Sequence, residues 1–589
     1  MWYFCFAVSV IVLLSVAAVS VISSRTAKNN TLPPMNILIL GMFFASVIMF
    51  IPIYTDSFAS DNIIVKWFET IVIAIHHTIR LFIVDSDYSA VKTLIPSENK
   101  LFYNIYSCYV ATIFVLSPLL TFGVVLSFFK NAAAHRKYLK SYNKNIYVFS
   151  ELNEKSLALA ESITARYDNL KIVFNNVQEQ NIDKNIDVSK VKNLKAICFA
   201  KDITSVNFNF HSKKRDIKFF MISSDESENA KQGLTLIENY RNRNNTWLYV
   251  FSNEIKGELL LNSVDTNVLK LRRISDVRTL IYSLLECSGE LLFKEAIDTH
   301  HPSNKKLISA VIVGLGKHGI EMTKSLSWFG QMEGFNLEIT AFDKSNDAYE
   351  KFCALCPELM DEKHNGNFSD NGESQYKITI KNNVDTQTIN FYNEIQNLSH
   401  ITYIFVDVGD DDQNIKTAIE LRKLLLKKDW FPRIQAVTKN IDQKNVLEKA
   451  TNHSGQSYSI DYIGNIQSLY SVETILDSEL EAEALSRHLQ WGEEKAFWKY
   501  EYNYRSSIAS ALHRRMKKVC NIPGINKTPE ERTESERLNL RMMEHRRWNA
   551  YMRSEGFTYA QKRNNLAKTH PCLVTFDELS PKEQAKDDD

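Results

Sequence analysis

Apolar residues concentrate in the first 130 positions of the chain, and charged residues dominate the rest. Three apolar runs, at residues 1–22, 35–54 and 101–129, are long enough to cross the roughly 30 Å hydrocarbon core of a bilayer as helices. A fourth run, at residues 63–84, contains charged and imidazole side chains that are costly at bilayer depth. Residues 1–130 are therefore predicted to be an α-helical transmembrane region of about three spans plus a re-entrant or interfacial helix.

The polar residues of the fourth run are candidates for a role in the membrane. His76, His77 and Arg80 fall within five consecutive positions, where they either line a water-filled path or lie at the lipid headgroups. A span, a dipping helix and another span form the plan of a tetrameric cation-channel pore. No sequence like the TVGYG potassium filter is present, however.

Loop charges predict the orientation of these spans. Arg25 and Lys28 follow the first span, Asp56 and Asp61 follow the second, and a basic linker at residues 131–145 follows the third. By the positive-inside rule, the N-terminus lies outside and the soluble domains are cytosolic. The pattern thus predicts a multi-pass protein of the inner (plasma) membrane.

Short apolar runs alternate with amphipathic helical patterns over residues 146–300 and again over 301–484, which predicts two α/β doubly wound Rossmann domains. In the first domain, the turn at residues 150–153 lacks glycine and the second strand ends in Asn175 rather than an acid. This copy is predicted to be degenerate and to serve packing or dimerisation, with ligand binding as the alternative.

The second domain contains a strand, a GxGxxG turn, a helix and a second strand that ends in an acid. The glycines permit a tight turn, close approach of a pyrophosphate and packing of the helix, and the acid can bond a ribose hydroxyl. This arrangement predicts an adenine nucleotide or NAD(H) as ligand; a turn kept only for structure is the alternative. The predicted binding residues are Gly314, Gly316, Lys317, His318, Gly319 and Asp343.

An acidic segment follows a later strand of the same domain. Asp407 and the aspartates at 410–412 lie where such folds place ligands, but an acidic run is more typical of a solvated loop or a helix cap. Residues 485–589 change to helical patterns, over 493–519 and about 530–555, with Gly556 placed as a helix cap.

Composition narrows the range of possible functions. A net charge of +1 gives no reason to expect a nucleic-acid partner. Eight scattered cysteines fit a reducing cytosol, and the CxxC of Cys353 and Cys356 is more typical of ordinary helix residues than of a metal or redox site. No metal site is predicted. No nucleophile–base–orienter set is recognisable, so the chain is not expected to be an enzyme.

Two family resemblances add to this interpretation. The segments IYVFSELNEKSLALAESI and FFMISSDESENAKQG are similar to the first-strand and fourth-strand regions of TrkA-N/RCK regulatory domains. The likeness covers roughly residues 145–470. It implies nucleotide or ion ligands and assembly into gating rings, hence a homo-oligomer, either a dimer or a tetramer.

The C-terminal segments NYRSS, ALHRRM, MEHRRWNAYMRSEGF and HPCLVTFDELSPKEQAKD resemble, in the expected order, the RyR domain, a ryanodine-receptor repeat also found in bacterial proteins. That resemblance implies a mainly α domain that senses a nucleotide-derived second messenger. In such a site Trp548 would stack on a base and Arg505 would fork onto a phosphate. The positions that match its motif are Arg505, Ser506, His513, Glu544, His545, Trp548 and Asn549.

Together the two resemblances imply a bacterial ligand-gated membrane effector or channel, in a setting such as antiviral defence. Its partners would be the lipid bilayer and a small nucleotide ligand. The alternative is an RCK-type ion channel or transport regulator that serves ion homeostasis. A membrane-tethered dehydrogenase is disfavoured because no substrate domain with an acid–base residue is recognisable.

Overall fold

A computed structural model describes residues 1–26, 34–55, 62–83, 85–178, 186, 188–253, 257, 259, 261, 263–298, 305–366, 368, 375–439, 446–451 and 453–587. The chain forms two compact units, Met1–Lys140 and Ser141–Asp589. Lys28, Asp56 and Asp61, on which the predicted orientation partly rests, lie outside the described residues.

The first unit is helical. Its helices are α1 (Trp2–Thr26), α2 (Pro34–Tyr54), α3 (Ile63–Phe82), α4 (Tyr88–Thr93) and α5 (Lys100–Leu139). Among the described residues, Trp2–Val19 and Lys100–Thr121 are long and apolar enough to cross a membrane, and Leu38–Tyr54 is a shorter apolar stretch. Because α5 continues to Leu139, residues 131–139 of the predicted linker are helical.

The interior of this unit is organised around α2. Met49 and Ala45 have no exposed surface. The Tyr106 hydroxyl of α5 donates to the Met49 carbonyl at 2.8 Å, and the Ser9 hydroxyl of α1 donates to the Ala45 carbonyl at 2.7 Å. Such bonds between helices satisfy hydroxyl groups that have no water to bond in an apolar interior.

Helix α3 buries three small residues and Leu81, and it exposes most of its large apolar ones. Thr70, Ala74 and Thr78 are fully buried, whereas Ile64 is 77% exposed and Phe68 is 68% exposed. A helix of a water-soluble domain shows the opposite pattern, with its large apolar residues facing the core.

The first α/β sheet has six parallel strands in the order β3-β2-β1-β4-β5-β6. The strands are β1 (Asn145–Phe149), β2 (Leu170–Phe174), β3 (Ile197–Cys198), β4 (Ile217–Met221), β5 (Thr246–Phe251) and β6 (Lys270–Ile274). Helices α6 (Glu154–Arg166), α7 (Val188–Asn193) and α8 (Glu226–Tyr240) connect them, and α9 (Asp276–Lys294) follows β6.

The second sheet repeats this order as β10-β9-β8-β11-β12-β13, with the short β7 antiparallel to the start of β8. Its strands are β7 (Ile297–Asp298), β8 (Lys306–Val313), β9 (Phe335–Phe342), β10 (Tyr376–Lys381), β11 (Tyr403–Val406), β12 (Arg433–Val437) and β13 (Ile460–Ile463). Its helices are α10 (Lys317–Phe329), α11 (Ala348–Leu355), α12 (Ile389–Gln396) and α13 (Asp411–Leu426). The prediction of two Rossmann-like sheets is confirmed.

The C-terminal part is mostly helical, as predicted. Its elements are α14 (Ile466–Leu469), α15 (Val472–Ile475), α16 (Glu479–His488), α17 (Glu494–Lys499), α18 (Glu501–Val519), α19 (Glu534–Ser554), β14 (Thr558–Tyr559), β15 (Thr569–His570) and α20 (Pro581–Gln584). The helical stretch predicted over 493–519 is divided at Tyr500, whose extended backbone ends α17 and precedes α18. Gly556, with φ +82°, follows the end of α19 in the left-handed conformation typical of a helix cap.

The C-terminal helices and the second sheet share one hydrophobic core. Ile281 of α9, Trp328 of α10 and Tyr551 of α19 all belong to it. After β13 the chain returns to the first sheet, where the Tyr470 ring lies 5.7 Å from the Phe251 ring. The second unit is thus held together across its predicted domain boundaries.

Candidate functional sites

The three motif glycines have different structural roles. Gly314 has φ +93°, and a Cβ there would lie 2.1 Å from the main-chain oxygen of Asp407. A Cβ on Gly319 would lie 1.9 Å from the main-chain oxygen of Gly314. Gly316 has φ −71° and no atom within 4 Å of its Cβ position. Close packing therefore requires the first and third glycines, whereas the second borders open space.

That open space lies at the start of α10. Gly316 is the N-cap residue, and no side chain caps the helix. Lys317 is exposed beside it. The first N–H groups of an uncapped helix, together with its positive dipole end, suit a phosphate.

Two carboxylates flank the glycine turn. Asp343 Oδ2 accepts a hydrogen bond from the Leu315 N–H at 2.7 Å. His318 Nδ1 lies 2.7 Å from Asp407 Oδ2. Burial raises the pKa of the Asp407 carboxyl, but the hydrogen bonds from His318, Gly409 and Asn414 outweigh that effect and leave the pKa below its ordinary value.

The acidic run is a helix cap, the more typical of its two interpretations. Asp410 Oδ1 accepts from the Gln413 N–H at 3.0 Å at the start of α13. Asp411 Oδ2 accepts from the Lys439 N–H at 2.8 Å. These carboxylates are occupied by main-chain donors.

The corresponding turn of the first sheet is filled by its own side chains. Asn153 caps α6, and its Nδ2 donates to the Ile222 carbonyl at 2.8 Å. Ser150 Oγ accepts from the Ile222 N–H at 2.9 Å, and Asn175 Nδ2 donates to the Phe149 carbonyl at 2.9 Å. These bonds tie β1 to the ends of β2 and β4. That this copy is degenerate stays a prediction.

The positions that match the RyR motif do not form one cluster: they lie in or beside three separate contact networks. In the first, the buried Glu544 accepts from Arg547 at 2.8 Å and from Lys517 at 3.1 Å. Burial raises the pKa of Glu544, but Arg547 and Lys517 lower it well below its ordinary value. The buried His513 also lowers the pKa of Glu544. Its Nε2 lies 3.1 Å from the Gln331 carbonyl oxygen.

The second network joins α19 to the C-terminal segment. His545 Nε2 lies 3.0 Å from the Val574 carbonyl, to which Asn549 Nδ2 also donates at 2.9 Å. The Trp548 ring stacks against His545 with centroids 5.9 Å apart and meets His570 edge-on at 4.9 Å. His545 and Asn549 thus hold a loop in place, and Trp548 is the partly exposed member of the group.

The third network contains Arg505, whose guanidinium pairs with Glu501 and, at 3.3 Å, with Glu555. Ser506 follows it on α18 and is partly exposed.

Arg505 also lines a cavity of about 90 Å³ between β6, α9, α15 and α18. Three further arginines that sequence reasoning did not select line the same cavity: Arg272, Arg273 and Arg278. These arginines form no recognisable sequence motif with Arg505, and only the fold brings them together.

The polar residues of α3 have partners within the first unit. The His77 ring stacks on Tyr54 with centroids 4.4 Å apart, and Arg80 Nε lies 3.1 Å from Asp85 Oδ2. His76 is exposed, and its ring lies 5.7 Å from that of His77.

Of the two CxxC cysteines, Cys356 has the environment of a buried structural residue. The buried Cys356 thiol donates to the Ser554 carbonyl at 3.1 Å. Burial raises the pKa of Cys356 to about 11, which disfavours the thiolate needed for metal or redox chemistry.

No protein-family model matches the sequence, and no curated protein matches it significantly. The TrkA-N/RCK and RyR resemblances therefore remain predictions carried by the motifs alone.

Proposed function

We propose that this chain is a ligand-gated membrane effector whose cytosolic part binds a nucleotide or a nucleotide-derived signal. The glycine turn carries the proposal, because an uncapped helix start borders open space at Gly316 and lies beside the Asp343 carboxylate. In a sheet of this strand order, ligands bind outside the carboxyl ends of the strands where the order reverses. That point is between β8 and β11, where Gly314 meets Asp407.

The first unit supports a membrane location for the output. Two of its segments have the length and apolar composition of a span, and α3 presents large apolar side chains outward. We place this unit in the plasma membrane as a multi-pass region, with the second unit cytosolic. His76, His77 and Arg80 would then lie at the headgroups or along a water-filled path in a homo-oligomer.

The C-terminal part has the role of coupling ligand binding to the rest of the cytosolic unit. It shares a core with α10, the helix that begins at the glycine turn. Contacts of this kind let a shift of α10 bias the packing of α18 and α19, as a two-state allosteric element requires. RCK-like and RyR-like identities fit this arrangement.

Ligand binding is tested by titrating the detergent-solubilised full-length protein with NAD⁺, NADH, ATP and ADP in a calorimeter. Gly316→Ala adds a Cβ only to open space, so its melting temperature should match that of the native chain. Its affinity for the bound nucleotide should fall at least about tenfold, because the Cβ obstructs the pyrophosphate. Lys306→Ala, at the opposite end of β8, is the control and should bind normally. Equal affinities for Gly316→Ala and the native chain would contradict the proposal.

The output is tested with the full-length protein in liposomes loaded with a fluorescent dye. Addition of the nucleotide identified by calorimetry should release dye from native liposomes and not from Gly316→Ala liposomes. Selective ion flux without dye release would instead favour the alternative, an RCK-type channel or transport regulator for ion homeostasis. Nucleotide binding with neither dye release nor ion flux would contradict both functions.

A further inference from the structure

Basic side chains gather at the amino-terminal edge of the first sheet, where the loops that precede β1, β4 and β5 meet. Arg215 Nε donates to Asn143 Oδ1 at 3.0 Å, and Asn245 Nδ2 donates to the Lys213 carbonyl at 3.3 Å. These bonds join three segments that are distant in sequence. The segments, which together form the basic cluster, are residues 142–144, 210–216 and 241–245.

The basic cluster has a large excess of positive charge. Its sequence contains a single carboxylate, that of Asp216. Its six cationic residues are Lys144, Lys213, Lys214, Arg215, Arg241 and Arg243. The chain as a whole has a net charge of only +1, so this excess is local.

Most of this positive charge is exposed and has no counter-charge. Arg243 is the exception, since it is buried and its Nη2 donates to the Ser212 carbonyl at 2.8 Å. Four cations are exposed and form no ion pair with any residue that the structure describes: Lys144, Lys213, Lys214 and Arg241. Free cations concentrated on one surface attract a surface of negative charge.

Two aromatic side chains are exposed on the same surface. Phe210 is 71% exposed and Tyr142 is 52% exposed. Both lie beside the buried His211, which follows Phe210 in the chain and whose ring lies 6.2 Å from that of Tyr142. His211 is itself held in place, because its Nε2 lies 2.7 Å from the Lys144 carbonyl oxygen. Exposed aromatic rings among lysines and arginines are typical of surfaces that bind the headgroup layer of a membrane.

Chain continuity favours a membrane as the partner of this surface. Ser141 directly follows Lys140, the last residue of the first unit. Lys130 is the first charge after the apolar run of α5, and the chain from there to Tyr142, helical as far as Leu139, spans roughly 18 Å. A surface tethered at that range meets the lipid headgroups at a high effective concentration. Each lysine or arginine near an anionic leaflet then strengthens binding about fivefold.

We propose that the basic cluster docks on anionic phospholipid headgroups of the membrane that holds the first unit, with Phe210 in the headgroup layer. This docking rests on the proposed membrane location of the first unit and is independent of the nucleotide ligand. It fixes the amino-terminal edge of the first sheet at the lipid surface. Because β1 to β6 are parallel, the turn capped by Asn153 lies at the opposite edge. The anionic lipid content of the membrane therefore contributes to how the cytosolic unit is held.

Docking is tested with full-length protein in vesicles of phosphatidylcholine alone, or of phosphatidylcholine and phosphatidylglycerol in equal amounts. The uncharged N-hydroxysuccinimide ester of acetic acid acylates exposed lysines, and mass spectrometry of the peptides measures the extent at each. Acylation of Lys144 is divided by that of Lys562, an exposed lysine in the loop between β14 and β15. At low ionic strength this ratio should be at least about fivefold lower in the anionic vesicles, and high salt should remove the difference.

The double variant Lys213→Gln with Lys214→Gln removes two exposed cations and leaves Lys144 as the reporter. In anionic vesicles its acylation ratio should return to within about twofold of the value in phosphatidylcholine. The matched control is Lys427→Gln with Lys428→Gln, a pair of neighbouring exposed lysines after α13, which should show the native ratio.

Phe210→Ser tests the aromatic contribution, because it keeps every charge of the basic cluster. Its acylation ratio in anionic vesicles should rise at least about twofold above the native ratio. Equal ratios of the native chain in the two kinds of vesicle overturn the proposal. Native ratios in both the Phe210 variant and the double variant of the cluster also overturn it, as does an equal rise in the control.

Two further outcomes identify a different partner or a different location. Protection of Lys144 by duplex DNA in phosphatidylcholine vesicles, without protection by phosphatidylglycerol, overturns the proposal in favour of a nucleic acid. A chain that does not float with the vesicles after an alkaline wash overturns the membrane location, and docking with it. A chain that floats but shows equal ratios overturns docking alone and leaves the proposed function standing.

Discussion

The Leu315 main chain and the Asp343 side chain are joined by a 2.7 Å hydrogen bond, which places the acid at the end of β9 directly beside the glycine turn. The other carboxylate oxygen accepts from the Ser345 N–H at 2.8 Å. Each oxygen of an ionised carboxylate has a further lone pair. Asp343 can therefore hold the turn and still accept from a ribose hydroxyl.

Asp343→Asn should weaken both the hold on the glycine turn and the binding of a ribose hydroxyl, because an amide has one acceptor oxygen where a carboxylate has two. Loss of one main-chain hydrogen bond should lower the free energy of unfolding by about 1 kcal/mol. Nucleotide affinity, measured by calorimetry, should fall about tenfold. Asp361→Asn is the control, since the exposed Asp361 accepts from the Lys363 N–H in a turn after α11. If nucleotide affinity is unchanged in Asp343→Asn, the acid has no part in binding.

Alanine at the three motif glycines should separate packing from binding. Gly314→Ala and Gly319→Ala should each lower the free energy of unfolding by on the order of 3 kcal/mol, because a Cβ would meet main-chain oxygen at about 2 Å. Gly316→Ala should change it by less than about 0.5 kcal/mol. Chemical denaturation of the three variants checks this order. Equal losses at all three positions would show that the space at Gly316 is not open.

Glu544→Gln should destabilise the C-terminal part. It leaves Arg547 and Lys517, both fully or almost fully buried, without their carboxylate, which costs about 3–5 kcal/mol. Thermal unfolding followed by circular dichroism measures the effect, with the exposed Glu530→Gln as control. A melting temperature equal to that of Glu530→Gln would show that the cations find other partners.

His570 should make stability depend on pH. Its Nδ1 accepts from the Cys572 N–H at 3.1 Å, a bond that protonation breaks. Burial, with a contribution from Arg563, lowers the pKa of His570 from 6.5 to about 4. Between pH 4 and 6.5, the His570 imidazole is protonated in the unfolded chain but not in the folded chain. The free energy of unfolding should therefore fall as the pH drops from 6.5 to 4.

The variant His570→Gln should flatten this part of the pH profile, measured as denaturation midpoints from pH 4 to 6.5. His453→Gln provides the control, because His453 is exposed in the second sheet's last loop. A profile of His570→Gln that retains the native slope would assign the pH dependence to other groups.

Labelling of Cys108 can test whether α5 lies in a membrane. The residue is exposed on the surface of the helix within Lys100–Thr121. In a bilayer an impermeant maleimide should not reach it, whereas exposed Cys287 of the second unit should react in inside-out vesicles. Both should react after solubilisation in sodium dodecyl sulfate. Equal labelling of the two cysteines in intact vesicles would place α5 outside the membrane.

The sequence alone determined the features that depend on neighbouring residues. The apolar run of α5, the alternation of strands and helices, and the glycine turn between β8 and α10 each follow from local periodicity or local backbone geometry. Strands β6, β10 and β13 escaped prediction. In β6, the adjacent Arg272 and Arg273 leave no alternating apolar pattern.

Only the tertiary structure decided which polar residues lie together. Arg278 and Arg505 are far apart in sequence, and both pair with Glu555 because α9, α18 and α19 pack in one core. The RyR-like positions of α18 and α19 were predicted to form one ligand site, but successive residues of a helix point in different directions. Glu544 therefore faces Lys517, while His545 faces the Val574 loop. Local pattern fixes the elements, and the packing of distant elements fixes the chemistry of the surfaces where they meet.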